Sequence, residues 1–152
     1  MQRFIAALST SMLVGFASQA WAGPAEEVAQ ISGGRIQAFE EGTPDAYSAD
    51  FADNASLTSS FSAFRIDGKA AIRAYFAELF QLYPKRRLFV RQPATRAYND
   101  DLVVQNGYFA LHLTNPKGEV SIFQVRSSVT WGKVGGRWQI VDQHVSRLPM
   151  TP

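Results

Sequence analysis

The chain has 152 residues, 46% of them hydrophobic and 18% charged, which is ample apolar material for a single core and too little charge for a disordered chain. It contains no cysteine, which excludes disulfides, thiol chemistry and most structural zinc sites. The formal net charge of +2 favours anionic partners only weakly, and its distribution along the chain matters more than its size.

From the N-terminus, Arg3, the apolar run Phe4 to Phe16 and the small-x-small triplet Ala20-Trp21-Ala22 follow the secretory pattern. We expect cleavage after Ala22, a periplasmic or secreted protein, and one mature domain over residues 23–152. The apolar run is shorter than the ~20 residues a spanning helix needs. No stable membrane insertion is therefore expected after cleavage, and for an exported protein nucleic acid is a poor partner.

Pro24 to Glu41 reads as a helix, with Val28, Ile31, Ile36 and Phe39 as an apolar stripe and acids in its first turn. Gly33-Gly34 interrupts it at a cost of roughly 1 kcal/mol per glycine, which predicts a bend or a close neighbour there. Thr43 as N-cap and Pro44 at the first helical position open a short second helix to about Asp50. Asp53 to Ser62, with Leu57 and Phe61, reads as a short strand or hairpin arm. In the third helix Asp67 is the expected cap, Ile72, Tyr75, Phe76, Leu79 and Tyr83 line one face, and Pro84 ends it. Acids dominate residues 26–53, where Arg35 is the sole base, and bases dominate 65–96; most of this split reads as solvated faces.

From Lys85 onward the pattern turns to strands, approximately 86–95, 102–113, 120–131 and 137–147, divided by Tyr98-Asn99-Asp100-Asp101, Asn115-Pro116-Lys117-Gly118 and Gly135-Gly136. The last three form an antiparallel meander. Helices first and a long-stranded sheet second predict an α+β domain, the sheet wrapped around the N-terminal helices.

Three stretches carry a family likeness: Arg126-Ser127-Ser128-Val129-Thr130-Trp131, Gly136-Arg137-Trp138-Gln139-Ile140-Val141, and His144-x-Ser146-x-x-Pro149. With the helix start Asp67-Gly68-Lys69-Ala70-Ala71-Ile72, they resemble the nuclear transport factor 2-like superfamily, which includes the SnoaL-like proteins. Within it, the C-terminal third is most similar to the association domain of calcium/calmodulin-dependent protein kinase II. The resemblance implies a cone-shaped α+β barrel with a mixed, mainly antiparallel curved sheet, a pocket on the concave face and subunit contacts on the other. It implies a homodimer or higher oligomer, no kinase activity and no cofactor. The kinase domain's pocket holds arginines suited to a carboxylate; its pattern places Phe109, Val129 and Val145 at those positions, so the anion clamp is missing.

Strand alternation agrees with an apolar pocket, since Phe123, Val125, Val129 and Trp131 share one parity and Arg126, Ser128 and Thr130 the other. Likewise Val141 and Val145 alternate with Asp142, His144 and Ser146. The expected pocket is Phe109, Phe123, Val129, Val145 and Tyr75, for a small apolar ligand; Arg126, His144 and Ser146 are expected as interface or structural polar residues. Asp142, His144 and Ser146 cannot act as a relay, because residues two apart on a strand stand about 6.5 to 7 Å apart. His112 and His144 are too few, and wrongly spaced, for a metal. If the chain is instead a SnoaL-like, cofactor-independent isomerase, cyclase or dehydratase, the candidates for proton transfer are Asp50, Tyr47, Tyr75, Tyr108 and His144.

Overall fold

The computed structural model describes residues 23–149; the expected signal segment at 1–22 and residues 150–152 lie outside them. Helix α1 (Pro24–Glu40) starts with proline and two acids, which suit the free N–H groups and positive end of a helix. It runs unbroken through Gly33 and Gly34, and no atom lies within 4 Å of a Cβ added at either, so no close neighbour accounts for the pair. Helix α2 (Pro44–Ser48) is capped as expected, the Thr43 hydroxyl accepting from the Ala46 N–H at 3.2 Å.

Strand β1 (Phe51–Thr58) and the two-residue β2 (Ile66–Asp67) form an antiparallel pair ahead of α3 (Lys69–Leu82). Asp67 does not cap α3. Pairing with Ser56 holds it in the sheet, where its carboxylate takes two hydrogen bonds from Arg65, and the turn into the helix falls to Gly68 at φ 87°, a left-handed value that glycine adopts without strain.

Four long strands follow: β3 (Lys85–Asn99), β4 (Leu102–Thr114), β5 (Val120–Val134) and β6 (Arg137–Arg147). They make an antiparallel meander, and β1 adds beside β6 in parallel, giving a curved, unclosed six-stranded sheet in the order β2-β1-β6-β5-β4-β3. The sheet, α1 and α3 enclose an apolar core. Phe39, Tyr47, Phe51, Phe76 and Phe80 interlock at its helical end, half of their ring pairs edge to face and half tilted.

Arg86 lies inside this structure rather than on a solvated basic face. It is 7% exposed, stacks over the Phe80 ring at 3.8 Å, and donates to the carbonyls of Phe39 (2.7 Å), Glu40 (3.4 Å), Gly42 (3.3 Å), Tyr83 (3.0 Å) and Pro84 (3.4 Å). One guanidinium thus satisfies the orphan carbonyls at the ends of both α1 and α3, where a cation also suits the helix dipole. Desolvation by burial lowers its pKa below the usual arginine value.

Candidate functional site

Between the helices and the concave face of the sheet lies a cavity of about 530 Å³. Its floor is the inward parity of the strands: Phe109 and Leu111 of β4, Val125, Ser127, Val129 and Trp131 of β5, Val145 of β6. Its roof comes from the helices, with Gly33 and Ile36 of α1, Tyr47 of α2 and Tyr75 and Phe76 of α3. Of the five residues expected in the pocket, Phe109, Val129, Val145 and Tyr75 line it. Phe123 does not; it packs edge to face on Phe61 at 4.9 Å, with the Arg147 guanidinium 4.6 Å from its ring.

The parity expected for β6 holds only beyond Val141. Thr130 pairs with Asp142 but Trp131 pairs with Ile140, so Val141 is the extra residue of a β-bulge. Its Cγ1 would stand 3.1 Å from a Cβ on Gly132, and it does not line the cavity. The bulge brings Ile140, rather than Val141, to the buried face that Gln143 and Val145 share by alternation, and Gln143 enters the lining beside Val145.

Arg35 was also missed, although α1 carried a signal. Val28, Arg35 and Phe39 fall at the spacing of one buried stripe, and a charge in such a stripe marks a satisfied internal cation. Its Nη1 donates to the Tyr47 carbonyl at 3.1 Å and to Asp50 Oδ2 at 3.3 Å; its guanidinium carbon lies 4.5 Å from the Tyr47 ring and 5.1 Å from the Phe51 ring. Asp50 therefore neutralises Arg35 from outside the lining. Among the described residues, Arg35 is the only charged one that lines the cavity.

Three buried side-chain atoms of the described residues have no hydrogen-bond partner, namely Arg35 Nη2, Ser127 Oγ and Gln143 Oε1, and all three residues line this cavity. Ring faces surround the first. Ser127 and Gln143 are diagonal neighbours across β5 and β6, because Ser127 pairs with Val145 and Val129 with Gln143. Other polar lining residues are engaged with one another. Gln105 accepts from Trp131 Nε1 at 2.9 Å and donates to Ser32 (2.9 Å) and Thr95 (3.1 Å), while the Ser59 and Tyr75 hydroxyls share a hydrogen bond at 2.6 Å. Burial raises the Tyr75 pKa, against the pull of that bond, so the phenol stays protonated at neutral pH.

The other proton-transfer candidates are scattered. Tyr108 is 42% exposed on the outer face opposite Arg126, one position out of parity with Phe109. His144 is exposed on the same face, opposite Ser128, beside an Arg126–Ser146 hydrogen bond of 3.0 Å. Asp142 is engaged by Ser56 of β1. Only Tyr47 and Tyr75 of the five reach the cavity, and among the described residues no Asp, Glu or His lines it. Among the described residues no cluster of three or more His, Asp or Glu could hold a metal, and no helix is long and apolar enough to cross a membrane.

Helices closing one face of a curved, mixed sheet over a cavity define a nuclear transport factor 2-like α+β protein. This chain belongs to the calcium/calmodulin dependent protein kinase II association domain family, whose model matches residues 24–149. A Xanthomonas campestris protein assigned by name to that association domain is 25% identical, with a TM-score of 0.75 over 86% of this chain and 94% of its own. A nuclear transport factor 2-like superfamily protein from Salmonella enterica is 17% identical, with a TM-score of 0.72 over 83% and 92% of the two chains. A candidate scytalone dehydratase from Novosphingobium aromaticivorans is 10% identical, with a TM-score of 0.72 over 80% and 82%. None of the curated proteins matches this sequence.

Proposed function

We propose that the chain is an exported, self-associating binding or scaffold module that holds a small, largely apolar molecule between its helices and its sheet. The observation that carries this reading is the cavity itself: about 530 Å³, walled mostly by hydrocarbon, its one cation already neutralised. Family membership supports self-association, since association domains assemble. So does the outer sheet face, where Phe89 is 50% and Ile122 57% exposed near Tyr108. Export is supported by Arg3, the apolar run after it and Ala20-Trp21-Ala22.

Native mass spectrometry of the protein purified from its own compartment tests the three parts together. The expected species begins at Gly23, has the mass of a dimer or larger, and loses a bound small molecule on activation. A monomer at micromolar concentration removes the scaffold reading.

One observation favours a second reading, a cofactor-independent SnoaL-like isomerase, cyclase or dehydratase. The Ser59–Tyr75 pair places a neutral phenol in the cavity, where it can donate a proton to a ligand oxygen. The lining supplies no carboxylate or imidazole to remove a proton, so binding is the better supported. Turnover that Tyr75→Phe abolishes while ligand affinity persists reverses that order.

A further inference from the structure

Helix α1 is fastened to the edge strand β3 at two places. Near its C-terminus, Glu40 accepts from the Leu88 N–H at 2.8 Å and from Arg87 Nη1 at 2.9 Å. Near its middle, Ser32 is tied through the Gln105 amide to Thr95. Between these ties the helix presents Gly33 and Ile36 and the strand presents Val90 and Pro93, all lining the cavity.

The strand leaves its ladder at this point. The register of β3 on β4 skips between Arg91 and Ala94, and Gln92 takes a left-handed φ of 48°. The helix recedes there as well, because Gly33 has no side chain and a Cβ on it would meet no atom within 4 Å. Gly33 and Pro93 are exposed while lining the interior, as is Val90 at 36%. Two pinned ends with a kink and a glycine between them leave an opening in the wall.

We propose that this opening is the port of the cavity, that Gly33 keeps it open, and that the molecule it admits is uncharged, with a hydrocarbon body and a hydroxyl or carbonyl group. The proposal rests on the binding function above. Charge selection follows from the interior, where the one guanidinium is held by Asp50 and no other ionised group stands ready to pair with a charge. Moving an ion into such a space costs more than burying its hydrocarbon returns. The unpartnered Ser127 hydroxyl and Gln143 carbonyl oxygen, diagonal neighbours on the floor, suit a neutral hydrogen-bonding group.

The test uses the full chain and two fluorescent probes sharing one ring system, 1-pyrenemethanol and 1-pyrenecarboxylate, by stopped-flow and equilibrium titration near neutral pH. The alcohol is expected to bind at least about tenfold more tightly than the acid. Gly33→Leu is expected to slow association of the alcohol by about tenfold, whereas Gly34→Leu, on the exposed side of the same helix and outside the lining, leaves it at the wild-type rate. Val90→Trp on the opposite lip supplies the same readout if Gly33→Leu does not fold. Acid binding as tight as alcohol binding overturns the charge selection. Equal rates in the lip variants and wild type overturn the port. If neither probe binds the wild type, the binding function falls and the port with it.

Discussion

Arg86 and Arg35 are the two cations that the fold takes inside, each for a different job. Arg86 supplies donors to five carbonyls at and just beyond two helix ends, so Arg86→Met leaves those acceptors dry with nothing in reach. The expected loss is about 2–4 kcal/mol of stability, read as a lower urea midpoint with unchanged slope. Glu40 is the matching anion. Its carboxylate accepts the Leu88 N–H on the open edge of β3, and that bond, with help from Arg87, holds its pKa below the usual glutamate value despite partial burial. A group whose folded pKa is depressed contributes fully above the unfolded value of about 4.3 and loses that contribution as pH falls through the folded value. Glu40→Gln is therefore expected to be about 1 kcal/mol less stable than wild type at pH 7, the gap closing below about pH 4. Denaturant melts across pH 3 to 7 check it. Neither arginine's role was readable from a tally of charges. Arg35 could have been caught by its place in a buried stripe, but the carbonyls that Arg86 caps come together only in three dimensions.

At the scale of elements, the sequence patterns located the two longer helices and the four long strands, because their periodicities run for three or more turns or five or more alternations. What alternation could not reveal was the bulge at Val141, which depends on how β6 meets β5 and β1 at once. One inserted residue exchanges Val141 for Ile140 on the buried face of β6, while Gln143 keeps the inward parity of Val145. The helix start at Asp67 failed for a related reason, since sheet pairing outbid the cap. The glycine pair of α1 gives a prediction at this scale. Gly34 is exposed with no atom within 4 Å of a Cβ, so Gly34→Ala is expected to stabilise the protein by about 0.5–1 kcal/mol, raising Tm by about 3–5 °C. A drop in Tm means that α1 bends at this glycine after all.

For the molecule as a whole, the α+β class and the superfamily architecture were legible, while the neighbour of β1 was not. The outer sheet face is the surface through which we expect copies to meet, and Ile122 stands on it more than half exposed. Ile122→Arg is expected to shift light-scattering mass to the monomer without lowering the amplitude of near-UV circular dichroism. A variant as oligomeric as wild type locates the contact elsewhere. His144→Ala belongs to the same experiment: on that face, it should weaken assembly or thermal stability rather than any turnover.

The parallel pairing of β1 with β6 also sets a clock. Ser56 and Asp142, which hydrogen-bond across that pair, are 86 residues apart in the chain. Loop closure over such a span is slow relative to the local hairpins of β3 to β6, so the meander can zip up first while β1, β2 and α3 wait for a place to dock. The receiving edge belongs to β6, the last of the described strands in chain order. The core thus cannot close until β6 has emerged to receive β1, and loss of β6 residues is expected to be far more damaging than an equal loss from the start of α1, read as a larger drop in Tm.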